Sequence, residues 1–190
     1  MSAKIVVLNG SPRRQGCTAA LVDEIIRGAV EEQDAEVDDY YLNGMKIQGC
    51  QSCYSCKTTG RCAVQDAMQQ LYDPIAAAAG IVLATPVYMW QMSGQLKLVL
   101  DRLLPFLRPG YTSALAPGKK VLLAVTQGRE DTGMFRHYFE HVGKTLLFLG
   151  FGSYEILIAG GTHEPADLQK QPAVLAEARR LGAWLAEPAQ

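Results

Sequence analysis

A chain of 190 residues, 48% hydrophobic and 19% charged, has enough apolar mass for one well-buried core, with or without a small appendage. Its net charge of −1 and lack of any basic run argue against a nucleic-acid surface and a polybasic membrane anchor. The opening apolar run is too short for a signal segment or a membrane span. The expected compartment is therefore the reducing cytoplasm, where clustered cysteines bind metal or react more often than they form structural disulfides.

Residues 4–8 form a continuous β-branched and apolar run, as in a strand buried on both faces of a parallel sheet. The run ends in turn chemistry, Asn9-Gly10-Ser11-Pro12-Arg13-Arg14-Gln15-Gly16-Cys17-Thr18. A helix follows, with Leu21, Val22, Ile25, Ile26, Ala29 and Val30 in its apolar stripe. A second strand is expected over 36–42, alternating as at a sheet edge, and the acidic residues around it read as a solvated face. The cysteine-rich loop 50–62 comes next. A helical stretch from Asp66 is then broken by Pro74, with Asp73 capping a restarted turn that ends at Gly80.

Residues 81–84 form the third strand, opening into a turn over 85–94 and a helix that buries Leu96, Val99, Leu100, Leu103 and Leu104. A Pro- and Gly-marked connection, 105–118, leads to the fourth strand, 121–125, which ends at Thr126-Gln127-Gly128. A helix over 134–149 and a fifth strand over 153–159 follow. After Gly160-Gly161 a polar loop leads to a last helix with Val174, Leu175, Ala178, Leu181 and Leu185 facing inward.

Five successive βα units imply one α/β domain, a parallel sheet with helices on both faces, because each right-handed crossover needs a helix. Ligands of such sheets bind at the carboxyl ends of the strands. The turns after strands one, three and four are therefore expected to converge. In the first, open backbone N–H groups at a helix start, two hydroxyls and two arginines suit a phosphate, although an ordinary capped turn is the other reading. Its spacing is neither that of a Walker loop nor Gly-x-Gly-x-x-Gly. In the second, the aromatics Tyr88 and Trp90 suit stacking on a planar cofactor, an oligomer contact or a core lid.

Four of the five cysteines, Cys50, Cys53, Cys56 and Cys62, fall within thirteen residues as C-x2-C-x2-C-x5-C. Four thiolates so close can ligate a 4Fe–4S cluster. Structural zinc more often uses two pairs separated by a longer span. A Cys53/Cys56 redox pair and four unligated thiols remain open readings. His137 and His141, one helical turn apart, read as a surface pair, and His163 lies in a polar loop without visible partners. Cys17 sits at a helix start, where its thiol either contacts phosphate or packs as a small side chain.

These turns, in this order, resemble the NAD(P)H-dependent FMN reductase superfamily of flavodoxin-like proteins, especially its iron–sulfur flavoprotein branch. Gly10-Ser11-Pro12-Arg13 with Gly16 and Thr18 is similar to that family's FMN phosphate loop, and Cys17 stands where the family often has Asn. Thr85-Pro86-Val87-Tyr88, Ser93-Gly94-Gln95-Leu96-Lys97 and Asp101-Arg102 resemble its flavin-ring loop and the following helix. The cysteines fall on the spacing used for the cluster in iron–sulfur flavoproteins. The resemblance implies a single flavodoxin-like domain over 1–190, with a five-stranded sheet of order 2-1-3-4-5 and noncovalent FMN. Ser11, Arg13, Arg14, Gly16, Cys17 and Thr18 would bind the phosphate; Pro86, Val87, Tyr88, Met89 and Trp90 would flank the ring; Thr126, Gln127 and Gly128 would close the third side. It further implies NAD(P)H as electron donor, a small-molecule or protein acceptor, a carrier such as ferredoxin as another electron source, and a homodimer or homotetramer. Two rivals are an electron carrier without NAD(P)H turnover and a zinc- or thiol-stabilised binding module.

Overall fold

The structure is a computed structural model that describes residues 2–188. The elements run β1 (Lys4–Asn9), α1 (Cys17–Gln33), β2 (Glu36–Tyr41), α2 (Cys56–Thr59), α3 (Gln69–Ala77), β3 (Gly80–Tyr88), β4 (Gln91–Met92), α4 (Gly94–Asp101), β5 (Lys120–Thr126), α5 (Arg136–Leu149), β6 (Ser153–Ala159), α6 (Pro165–Gln169) and α7 (Pro172–Ala186). The five long strands are parallel in the order β2-β1-β3-β5-β6. This is the expected 2-1-3-4-5 topology with one addition: β4, two residues long, pairs antiparallel with the end of β3. So short a strand has no periodicity to read.

Strict alternation along the strands divides the core in two. Ile5 and Val7 of β1, with Val82, Leu122 and Leu157, face α1 and α7, where Leu21, Val22, Ile25, Leu181 and Leu185 meet them. Val6 and Leu8, with Ile81, Leu83, Val121 and Leu123, face α3, α4 and α5 through Leu71, Ile75, Leu96, Val99, Phe139 and Leu146. Each such fully buried side chain contributes about 1.5–3 kcal/mol. Helices α1 and α7 touch backbone to backbone, since a Cβ on Gly182 would run into the carbonyl of Ile25.

Three local expectations change. Helix α3 runs through Pro74 instead of breaking there. An interior proline costs about 3 kcal/mol, which burial of Leu71 and Ile75 on either side of it offsets. Strand β3 continues past Ala84 to Tyr88, through residues that read as a turn. Its partner β1 ends at Asn9, opposite Ala84, so Thr85 and Pro86 pair only with β5, an edge-like position that tolerates proline. The polar loop after β6 contains α6, started by a capping box in which Glu164 and Asp167 each accept from the other's end of the turn. Among the described residues, no helix is long and apolar enough to cross a membrane.

Candidate active site

The turn after β1 is rigid because its own side chains brace it. The Ser11 amide donates to Asn9 Oδ1 at 3.1 Å, and the Arg13 amide to Ser11 Oγ at 3.2 Å. Gly10 donates to the Ala84 carbonyl at 2.8 Å and accepts from Ser93 Oγ at 2.7 Å. A Cβ at Gly10 would stand 2.7 Å from Leu96 Cβ, so the close approach of α4 requires glycine. Gly16 begins α1 in extended backbone with no capping side chain, which leaves first-turn amides for an anion. Thr18 Oγ1 lies 2.7 Å from Thr126 Oγ1, both buried, fixing the helix start to the end of β5.

Three strand ends therefore meet in one place. A cavity of about 100 Å³ is lined by Ser11, Arg13, Gly16, Cys17 and Thr18 from the first turn, Pro86, Val87 and Tyr88 from β3, and Thr126, Gln127 and Gly128 from β5. It adjoins a wider cleft of about 660 Å³ through the shared residues Val87, Gln127 and Gly128; Met89 and Trp90 form one wall of that cleft. Arg14, expected with the phosphate, stands elsewhere: its guanidinium lies 4.5 Å from the centre of the Tyr41 ring, a cation–π contact that keeps it away from the cavity. Burial raises the Cys17 thiol above its ordinary value while Arg13 pulls the other way, so this cysteine is a packed wall residue and a poor nucleophile.

The loop after β6 completes the site. Thr162 lines the small cavity and His163 the wide cleft, joined there by Arg129, Met134 and Phe135. The rule that ligands bind at strand carboxyl ends applies to β6 as to the other strands and is the signal that finds this loop. Arg13 Nη1 donates to the His163 carbonyl at 3.2 Å. The Asp167 carboxylate accepts from the Glu164 and His163 amides, which with Lys170 hold it down to about 2. Gln127 is buried, and its Nε2 donates to the Arg129 and Asp131 carbonyls at 3.0 and 2.8 Å. Those bonds fix the amide orientation and leave Oε1 a buried acceptor with no donor among the described residues.

Tyr88 and Gln91 face each other across a two-residue hairpin whose loop, Met89-Trp90, has φ of 45° and 66°. Positive φ at both loop positions is the geometry that Asn-Gly satisfies, and bulky residues there cost about 1–3 kcal/mol each. The strain holds Met89 and Trp90 out over the cleft, 81% and 61% exposed. Replacing Met89-Trp90 with Asn-Gly is expected to stabilise the free protein by about 1–2 kcal/mol, read as a higher urea midpoint. An unchanged or lower midpoint would contradict the strain.

The cysteine loop lines a second cleft. Cys50, Cys53, Cys56 and Cys62 line one small cleft, closed by Arg102, Leu104 and Pro105. Ser52 and Tyr54 take left-handed backbone, φ 52° and 55°, in the segment between Cys50 and Cys56. Among the described residues, no group of three or more Cys, His, Asp or Glu side chains is placed to hold one metal ion. A single tetrahedral ion, with bonds of about 2.3 Å, needs its sulfurs drawn closer together than a four-iron cluster does. Burial raises the Cys56 thiol, against the pull of Lys57.

A buried ion pair ties the neck of this loop. Arg102 Nη1 and Nη2 donate to Asp66 Oδ2 and Oδ1 at 2.9 and 3.1 Å, and to the Gln48 and Val64 carbonyls at 2.9 and 3.2 Å. Burial pushes the Asp66 carboxyl up, but Arg102 and the Gln48 and Met68 amides outweigh it and hold its pKa below the ordinary value. A depressed carboxylate stabilises the fold above its unfolded pKa, about 3.9, and loses that contribution as pH falls through its folded value. Acidification below about pH 4 is therefore expected to loosen the loop neck, and Asp66→Asn to flatten that acid limb in a stability–pH series. A limb of unchanged steepness in the variant would exclude Asp66 as its source.

Comparison with known proteins agrees with this geometry. Residues 3–154 match the family model described as NADPH-dependent FMN reductase. An iron–sulfur flavoprotein of Methanocaldococcus jannaschii is 31% identical over 189 residues, covering 97% of this chain and 96% of that protein. The NAD(P)H:quinone oxidoreductase from Methanothermobacter marburgensis has the same fold, with a TM-score of 0.75 at 17% identity over 100% of both chains. So does an FMN-dependent NADH-azoreductase from Bacillus anthracis solved with FMN, with a TM-score of 0.74 at 14% identity over 97% of this chain and 100% of that one. A signature spanning most of the sheet and a full-length relative identify the chain as a member of the NADPH-dependent FMN reductase family of flavin oxidoreductases.

Proposed function

We propose that the chain is an NAD(P)H-dependent FMN oxidoreductase whose cysteine loop carries a 4Fe–4S cluster. The observation that carries the flavin reading is the convergence of four strand-end loops on adjoining cavities, phosphate-sized at α1 and ring-sized beneath Met89 and Trp90. The wide cleft, at about 660 Å³, is within the range of cofactor sites. FMN, when bound there, would supply the redox chemistry between NAD(P)H and an acceptor.

The residues divide the remaining work. Ser11, Arg13 and the α1 amides hold the phosphate, with Arg13 oriented by its bond to the His163 carbonyl. Gln127 Oε1, a buried acceptor awaiting a donor, fits an N–H on the edge of a flavin ring. Met89 and Trp90 cover the ring and exclude water. The exposed Tyr88 and Trp90 rim supports a homodimer or homotetramer in which a second copy completes that cover. Cys50, Cys53, Cys56 and Cys62 would ligate the cluster, which supplies one-electron transfer toward a small acceptor or a carrier such as ferredoxin. Their common cleft and the positive charge of Arg102 in its wall support this ligation.

Stopped-flow mixing of the FMN-loaded protein with NADPH and with NADH tests the oxidoreductase reading. Flavin bleaching within seconds by one of them is expected. Bleaching too slow to support turnover by both would leave an electron carrier instead.

A further inference from the structure

We propose that Arg102 is a positioning residue for the cysteine cleft, its Nε–H serving as the donor to a sulfur of the centre held there. This rests on the cluster reading above. A guanidinium has five N–H donors. Four have acceptors: Nη1 bonds the Gln48 carbonyl and Asp66 Oδ2, and Nη2 the Val64 carbonyl and Asp66 Oδ1. The fifth, on Nε, is buried and makes no hydrogen bond among the described residues; the neighbouring Tyr72 hydroxyl spends its proton on the Arg102 carbonyl at 2.9 Å. Arg102 itself is 1% exposed, so water does not serve that donor freely.

The acceptor this donor lacks is indicated by the wall it occupies. Arg102 lines the same cleft as Cys50, Cys53, Cys56 and Cys62. Asp101, the carboxylate on that wall, is already paired with Lys97 at 2.6 Å. Sulfur bearing thiolate or sulfide charge accepts such a bond, and a fixed cation beside it favours the reduced, more negative state of a cluster. The bonds to Asp66, Gln48 and Val64 hold the guanidinium plane and so aim Nε. The neck of the loop and the tuning of its centre are thus one residue.

The test compares wild type, Arg102→Lys and Asp66→Asn, each purified without oxygen and analysed for iron, sulfide and flavin. The cluster potential is then read by titration monitored with electron paramagnetic resonance. Lysine keeps the charge and can still meet Asp66, but has no Nε–H. Arg102→Lys is expected to retain iron and to shift the reduction equilibrium about tenfold toward the oxidised cluster, roughly 59 mV downward for one electron. Asp66→Asn weakens the neck but keeps the donor and removes a negative charge, and is expected to lower the melting temperature with no downward shift of the potential. A wild-type potential in iron-loaded Arg102→Lys would overturn the proposal. So would an equal shift in Asp66→Asn, or loss of iron from both variants, because the neck alone would then account for it. Wild-type protein without iron and sulfide would overturn the cluster reading itself, and this proposal with it.

Discussion

Replacing Arg102 with Met is expected to destabilise the protein by about 3–5 kcal/mol, since a buried ion pair broken on one side leaves an uncompensated charge. Asp66 has only 5% of its side chain exposed, so its carboxylate cannot recover full hydration. The Gln48 and Val64 carbonyls lose their donors in the same step. Those two residues bracket the cysteine loop, so its ends separate as stability falls. A chain of this size shifts by roughly 2–4 °C for each kcal/mol, and the melting temperature is expected to drop by about 10 °C. Limited proteolysis is expected to cut first between Gln48 and Val64. A melting curve within a degree of wild type would show that the pair does not hold the loop.

The second large effect concerns the flavin. Arg13→Ala is expected to weaken FMN binding by about ten- to a hundredfold, the loss of a hydrogen bond to a charged group worth about 1.5–3 kcal/mol. Arg13 is exposed and lines the phosphate-sized cavity, so the fold loses little when it is removed. Arg14→Ala supplies the contrast. Its guanidinium rests on Tyr41, outside the cavity, and its loss is expected to change FMN affinity less than threefold, below about 0.7 kcal/mol. Fluorescence titration of FMN against the two variants separates neighbouring arginines that look alike in sequence. Equal losses for both would mean that Arg14 leaves Tyr41 to reach the phosphate.

Sequence reading succeeds where the signal is local. Val6, Val7, Val82 and Leu122 belong to uninterrupted apolar runs, and such runs mean strands buried on both faces whatever surrounds them. The turn residues Gly10, Ser11 and Gly16 were legible for a related reason, because a strand joined directly to a helix exposes backbone amides. The Met89-Trp90 hairpin was not legible, since its residues violate the turn chemistry that announces a two-residue loop. His163 looked partnerless because its neighbours, Arg13 and Gly128, lie far away in sequence and meet it only once β1, β5 and β6 are aligned. Arg102 read as part of the helix after the flavin loop. Its side chain instead crosses to the cysteine loop, a long-range pairing that helical periodicity does not encode.

The measurement that bears most directly on the account is the ultraviolet–visible spectrum of protein purified without oxygen, paired with iron, sulfide and zinc analysis. Flavin bands above a broad brown absorbance are expected, with about four irons and four sulfides per chain. Flavin without iron would keep the oxidoreductase and remove the cluster. Protein that shows no flavin as purified, and takes up none when FMN is added, would contradict the central claim.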